Sequence, residues 1–245
     1  MGIYMQNQFA RTQLMFGSCA MDKLKNSWVA VFGVGGVGGY TVETLVRSGV
    51  GTLDLIDNDT VSVTNLNRQI IALHSTIGQS KVEVMKSRIL DINPDCRVYA
   101  YNMFFDETTV DNFDFSKYDY VVDAIDSVKS KILLAKLCYE KNVKIISSMG
   151  AGNKLDPTKF EISDLYKTSY DPLAKVMRRE LKKIGVKRLT VVYSKEEPVK
   201  IDAEKVADLL DEEDLKKRTV PASNAFVPSA AGLVIASKVI KDLVE

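Results

Sequence analysis

Apolar positions along this chain recur with two periods, and the alternation between them outlines its elements. Trp28–Phe32 (WVAVF) is an almost unbroken apolar run, the pattern of a strand covered on both faces of a parallel sheet. After a glycine-rich break, Val42, Leu45 and Val46 recur at i, i+3 and i+4, which predicts an amphipathic helix; Glu43 and Arg47 are spaced on it for an exposed ion pair. Gly49 closes that helix, and Thr52–Ile56 (TLDLI) is a second strand ending at Asp57. The cycle then repeats. Lys81 opens a helix with Val82, Met85 and Ile89 along one stripe, and Asn93-Pro94 end it. Cys96–Asn102 alternates as a strand, and Tyr120–Ile125 is a buried strand closing on Asp126-Ser127. A helix through Ile132, Leu133, Leu137 and Cys138 leads to a strand at Val143–Ser147, followed by Met149–Gly152. Strand and helix in strict succession predict an α/β fold with a mostly parallel, doubly wound sheet.

The last third follows a looser pattern. Asp171–Ile184 reads as a helix, Leu189–Ser194 as a strand, Pro221–Pro228 as a loop and Ala230–Val244 as a final amphipathic helix. We therefore expect a Rossmann-like domain over residues 1–165, led by an N-terminal arm or short helix. Residues 166–245 form an extension packed on the same domain.

The glycine-rich break adds chemistry. Gly33-Val34-Gly35-Gly36-Val37-Gly38 is a G-x-G-x-x-G with an extra glycine, set between a strand and a helix. Glycines let backbone approach a phosphate, and the N–H groups opening the helix supply donors and a positive dipole end. Asp57, an acid about 20 residues further on, is placed to bind a ribose hydroxyl. A bare strand-to-helix turn needs neither the fourth glycine nor that acid. The polar loop after Asp57 carries Asn65 and Arg68, both within reach of a nucleotide held at that edge of the sheet. Asp126 ends another strand at the same edge. Lys81 is either solvated or neutralises phosphate charge, and His74, the sole histidine, suits a cap or a packing position better than a base. Local sequence makes Arg11 an exposed arginine.

Composition narrows the setting. At 245 residues the chain buries enough core to need no staples. A formal charge of +1 exerts no global pull toward nucleic acid, so a basic surface has to be local. Arg178, Arg179, Lys182 and Lys183 cluster on one helical face, and Lys187 and Arg188 extend the cluster; it is either a solvated face or a nucleic-acid contact. Asp202–Asp214, with seven acids and one lysine, reads as a solvated run. Cys19, Cys96 and Cys138 are far apart without a C-x-x-C pair, against a zinc site and a disulfide framework and in keeping with a reducing cytosol. Neither a signal peptide nor a membrane span is visible, which places the chain in the cytoplasm.

At this point the motifs show a resemblance. The glycine loop, Ile56-Asp57-Asn58-Asp59, Asn65-Leu66-Asn67-Arg68-Gln69, Gly78-Gln79-Ser80-Lys81, Ile92-Asn93-Pro94 and Asp123-Ala124-Ile125-Asp126-Ser127 resemble the ATP-dependent adenylating enzymes related to ubiquitin activation, over roughly residues 9–152. Within that family the chain is most similar to the tRNA threonylcarbamoyladenosine dehydratases. That likeness runs through Ala124–Val128, Gly150-Ala151-Gly152, Asp156-Pro157-Thr158, Asp164-Leu165, Lys167-Thr168 and Asp171-Pro172-Leu173-Ala174.

The resemblance implies that Gly33, Gly35, Gly36 and Gly38 hold ATP, with Asp57 on the ribose, Asn65 and Ser127 lining the pocket, and Arg68 and Lys81 on the triphosphate. It implies that Asp126 positions the α-phosphate and a magnesium ion, and that Arg11 reaches a partner's active site in a homodimer. The implied substrate is tRNA bearing threonylcarbamoyladenosine, held partly on Arg178–Arg188, with a sulfur-transfer partner such as a cysteine desulfurase as a further candidate. ATP-dependent adenylation of the threonyl carboxylate, then ring closure by a nitrogen of the same side chain, would remove one water. Some relatives carry a cysteine where Pro221 stands here, which argues against a thiol role at that position. A second reading, activation of a ubiquitin-like sulfur carrier, lacks its paired C-x-x-C. A third, a nucleotide-binding regulator or a nicotinamide oxidoreductase, lacks a hydride-transfer constellation.

Overall fold

The computed structural model describes residues 7–202 and 221–245. The acidic run from residue 203 onward lies outside them. Two short helices, α1 (Ala10–Phe16) and α2 (Ser18–Asn26), lead into β1 (Trp28–Phe32), α3 (Gly38–Arg47) and β2 (Thr52–Ile56). Then come α4 (Lys81–Ile92), β3 (Arg97–Tyr101), β4 (Tyr120–Asp123), α5 (Val128–Glu140) and β5 (Ile145–Ser148). The chain continues through β6 (Phe160–Asp164), α6 (Pro172–Lys183), β7 (Thr190–Ser194) and, among the described residues, a last helix α7 (Val227–Val244).

One seven-stranded sheet runs in the order β3-β2-β1-β4-β5-β7-β6, parallel except where β6 pairs antiparallel with β7. The doubly wound, mostly parallel sheet expected from the pattern is thus present. Strand β6 lies outside that pattern: its Phe160–Asp164 is only half-buried, so it lacks the apolar run that marks the central strands.

The central strands are apolar because both their faces are covered. Val29 and Val31 pack into a core with Leu45 and Val46 of α3, Val82, Met85 and Ile89 of α4, and Ile235 and Val239 of α7. Ala30 and Phe32 point the other way, into a core with Phe105, Phe113, Phe115, Leu134 and Cys138. Phe32 meets Phe105 edge-on, with centroids 4.7 Å apart. A third cluster joins Met177 and Leu181 of α6 to Leu189 and Val191. Helix α7 lies close against α3: Gly232 has no room for a side chain, since a Cβ there would overlap the Val37 carbonyl and reach Tyr40 Cβ at 3.0 Å.

The Glu43–Arg47 pair forms, but it is not exposed on the glutamate side. Glu43 is 8% exposed because Arg88, from α4, clamps the same carboxylate at 2.6 and 3.0 Å, while Arg47 binds it at 2.7 Å. Despite the opposing effect of burial, the two guanidiniums hold the Glu43 carboxyl below its ordinary value. Among the described residues, no helix is long and apolar enough to cross a membrane.

Candidate nucleotide and carboxylate site

The strand order reverses between β1 and β4, and the crevice at their carboxyl ends is where such sheets hold ligands. Two glycines of the loop are dictated by packing there. Gly33 sits at φ +91° against the β4 exit, where a Cβ would come within 2.5 Å of the Ala124 carbonyl oxygen. A Cβ on Gly38 would overlap the carbonyl oxygen of Gly33. Gly36 is close to Pro228 and to Arg68 Cγ, at 3.2 and 3.4 Å from where its Cβ would be. Gly35 is different: the nearest atom to its Cβ position is Gln69 Nε2 at 3.8 Å, so packing does not require a glycine. That bare stretch of backbone leaves space for a ligand to approach.

Asp57 turns its carboxylate back onto this loop. Its Oδ2 accepts from the Val34 N–H at 2.7 Å and its Oδ1 from the Asp59 N–H at 2.9 Å. Each oxygen keeps further lone-pair capacity for a hydroxyl donor. Burial pushes its carboxyl above the ordinary value, with the Lys81 charge opposing.

Lys81 is not solvated. It is 5% exposed at the start of α4, with its ammonium 2.7 Å from Asp59 Oδ2. The Thr60–Ser80 bridge brings these two segments together. Asn65 is buried as well, and its Oδ1 accepts from the Ser62 N–H at 3.2 Å while its carbonyl accepts from the N–H groups of Arg68 and Gln69. It therefore shapes the turn that presents Arg68. The Arg68 guanidinium donates to the Thr64 carbonyl at 2.8 Å and to Asn67 Oδ1 at 2.9 Å.

Asp126 is exposed in the turn after β4. Ser127 caps α5, accepting from the Ser130 N–H, so its hydroxyl holds the helix start directly behind Asp126. Beneath this turn lies a charged network that sequence reasoning missed. Lys131, 1% exposed, donates to Asp123 Oδ1 at 3.1 Å and to the Ser148 carbonyl at 2.8 Å, and Ser147 Oγ donates to Asp123 Oδ2 at 2.5 Å. Asp123 Oδ1 also accepts from the Ile125 N–H, fixing the turn that carries Asp126. Gln69 was missed too. It is 7% exposed, and its Oε1, like Ser80 Oγ, is a buried atom without a hydrogen-bond partner among the described residues. The signal for both was their place inside the motif segments Asn65–Gln69 and Gly78–Lys81.

Two groups of expected residues are not brought to this crevice. Arg11 is exposed on α1, whose start rests beside Gly49 at the far end of α3 from the glycine loop. The basic cluster lies at the carboxyl end of α6 and before β7, whereas the start of α6 adjoins Gly150 at the site edge. The patch is thus about one 12-residue helix, roughly 18 Å, from that edge. Arg178 also leaves the patch: it is half-buried and donates to the Thr168 hydroxyl and carbonyl. Arg179 and Lys183 pair with Glu180 at 2.6 and 2.8 Å, leaving Lys182, Lys187 and Arg188 as its exposed cations outside those pairs. Burial pushes the Cys96 thiol up to about 11 and raises that of Cys138, so neither is a poised nucleophile.

A parallel sheet with a glycine loop and strand-end carboxylates at its switch point defines a nucleotide-binding α/β protein. The ThiF family model matches residues 7–244, and the chain belongs to that family. It is 48% identical over 244 residues to the tRNA threonylcarbamoyladenosine dehydratase of Bacillus subtilis (strain 168), covering 98% of this chain and 96% of that protein. Its structure is similar to the corresponding E. coli dehydratase solved in complex with AMP and in complex with ATP. Each superimposes with a TM-score of 0.85 at 34% identity, over 96% of this chain and 93% of that one.

Proposed function

We propose that this protein removes one water from threonylcarbamoyladenosine in tRNA, using ATP to activate the threonyl carboxylate. The observation that carries this reading is the convergence at one sheet edge of the open Gly35 backbone, Asp57, the Arg68 loop, Lys81 and Asp126. Similarity over almost the whole length to dehydratases supports it.

A carboxylate is a poor electrophile because its leaving group would be an oxide. In the first step a carboxylate oxygen attacks the α-phosphorus of ATP in line, and pyrophosphate leaves. In the second, a nitrogen of the same side chain attacks the acyl carbon, closes the ring and expels AMP, which carries away the carboxylate oxygen. The nitrogen loses its proton, so one water is lost overall. Effective molarities for such closures reach about 10⁵ M or more, so no acyl-enzyme is needed. That agrees with buried Cys96 and Cys138 and with Pro221 in the C-terminal loop.

The glycine loop and the start of α3 receive the phosphates, and Asp57 the ribose. Arg68 and Lys81 offset charge on the triphosphate as it develops. No group of three or more His, Cys, Asp or Glu able to hold a metal occurs among the described residues. A magnesium ion would bind as it usually does, on one carboxylate and the substrate's phosphates, and exposed Asp126 would be that carboxylate. The ion would neutralise phosphate charge.

Residues 1–165 hold the nucleotide and 166–245 supply substrate and dimer contacts. The chain acts as a homodimer in which Arg11, remote from its own crevice, serves the partner's. The tRNA body reaches Lys182, Lys187 and Arg188 while its modified base enters at the sheet edge.

The test is release of AMP and pyrophosphate with tRNA as the variable. Turnover requires tRNA bearing threonylcarbamoyladenosine, and Asp126→Ala and Arg68→Ala abolish it without loss of thermal stability. Turnover at the wild-type rate in either variant removes that residue from the mechanism.

A further inference from the structure

A set of contacts runs from the start of α6 to Arg68, and Arg68 is its one member assigned to nucleotide binding above. It begins at a buried ion pair. Asp171 and Lys154 are 1% and 3% exposed, with Lys154 Nζ 3.2 Å from Asp171 Oδ2 and 2.6 Å from the Gly150 carbonyl oxygen. Asp171 also accepts from the Gly150 N–H at 3.1 Å and caps α6 through the Ala174 N–H at 2.8 Å. The turn after β5 is thereby pinned to the start of α6.

Loop 221–226 is hung on that turn. Asn153 and Ala222 exchange two hydrogen bonds, at 2.8 and 2.7 Å, and Asn224 Nδ2 donates to the Lys154 carbonyl at 2.9 Å. Asn224 Oδ1 accepts from the Val227 N–H at 2.8 Å, so the same side chain holds the entry to α7. On its other side the loop meets Asn67, whose Nδ2 donates to the Ser223 carbonyl at 3.0 Å. Asn67 Oδ1 accepts from Arg68 Nη1 at 2.9 Å.

We propose that Asn67 is a positioning residue, which sets the orientation of the Arg68 guanidinium according to the position of loop 221–226. A planar amide suits this task because its donor and acceptor are rigidly linked. With the donor committed to Ser223 and the acceptor to Arg68, displacement of the loop swings the guanidinium about its other contact, the Thr64 carbonyl. A guanidinium discriminates among phosphates by the direction of its donors as well as by its charge, so this coupling bears on triphosphate binding. A substrate seated against the loop then acts on the phosphate clamp without touching it. The inference rests on the reading that Arg68 meets the triphosphate.

The experiment is equilibrium binding of ATP and of AMP to the full chain, for wild type, Arg68→Ala, Asn67→Ala, Asn224→Ala and the Asn67→Ala/Asn224→Ala double variant. It needs no tRNA, so it is independent of the dehydration chemistry. Arg68→Ala lowers ATP affinity and spares AMP. Asn67→Ala does the same by roughly fivefold, as expected for losing one charge-assisted hydrogen bond near the surface. Asn224→Ala shows the same ATP-selective loss in smaller measure, and adds nothing once Asn67 is gone. Asn67 is exposed, so Asn67→Ala folds normally even if Asn224→Ala weakens the α7 entry.

Equal losses for ATP and AMP in Asn67→Ala mean a structural role and overturn the proposal. So does wild-type ATP affinity in that variant beside a loss in Arg68→Ala. If Arg68→Ala itself leaves the ATP-to-AMP ratio unchanged, the reading of Arg68 falls and the inference with it.

Discussion

At the residue scale, buried Glu43 and half-buried Asp57 show a carboxylate put to opposite uses. Glu43 is pinned by Arg47 and Arg88, and its carboxyl is held below 4.5. Its stabilisation is therefore complete above about pH 4.5 and is lost as the pH falls through the folded-state value. Glu43→Gln is expected to cost on the order of 2 kcal/mol near neutral pH. The gap between wild type and variant in denaturant titrations narrows toward pH 3. A gap independent of pH would show that the carboxylate charge is not what matters. Asp57 has the reverse sign, because burial raises its carboxyl. Ionised at neutral pH it weakens the fold, as expected of a group kept for a ligand. Asp57 was readable from its spacing after the glycines. The burial of Glu43 was not, because its second partner, Arg88, lies 45 residues along on another helix. The pairs Lys131–Asp123 and Lys154–Asp171 escaped for the same reason: no local rule links residues across a strand end or between a turn and a helix cap.

At the scale of elements, the βαβ core followed from periodicity because its central strands β1, β2 and β4 are covered on both faces and its helices on one. What periodicity could not show is where the last helix goes. α7 packs on α3 at Gly232, directly behind Val37 of the phosphate loop. Gly232→Ala therefore pushes α7 away or distorts the loop. The expected cost is about 1–3 kcal/mol, accompanied by weaker ATP binding measured by calorimetry. A variant with reduced stability and unchanged ATP affinity would mean that α7 supports the fold but not the loop. The basic face of α6 was likewise visible as charge. Its distance from the site was set by the direction of the helix, which only the contact of Asp171 with Gly150 reveals.

At the scale of the whole molecule, a net charge of +1 leaves tRNA affinity to a few cations. Lys182→Glu, Lys187→Glu and Arg188→Glu combined should weaken tRNA binding and flatten its dependence on salt, by about one slope unit for each phosphate no longer neutralised. ATP affinity should not change, since the patch is a helix length from the site. An unaltered salt slope in filter-binding or fluorescence titrations would move the tRNA to another face.

The central claim is that ATP is used to take one water out of the modified nucleoside. Its most direct measurement combines the protein, ATP, magnesium and tRNA bearing threonylcarbamoyladenosine, then weighs the digested nucleosides after a mild work-up that spares the ring. The account predicts an ATP-dependent loss of the mass of one water from that nucleoside and no other. An unchanged nucleoside, with ATP–pyrophosphate exchange arising only when a ubiquitin-like sulfur carrier is added, would contradict it.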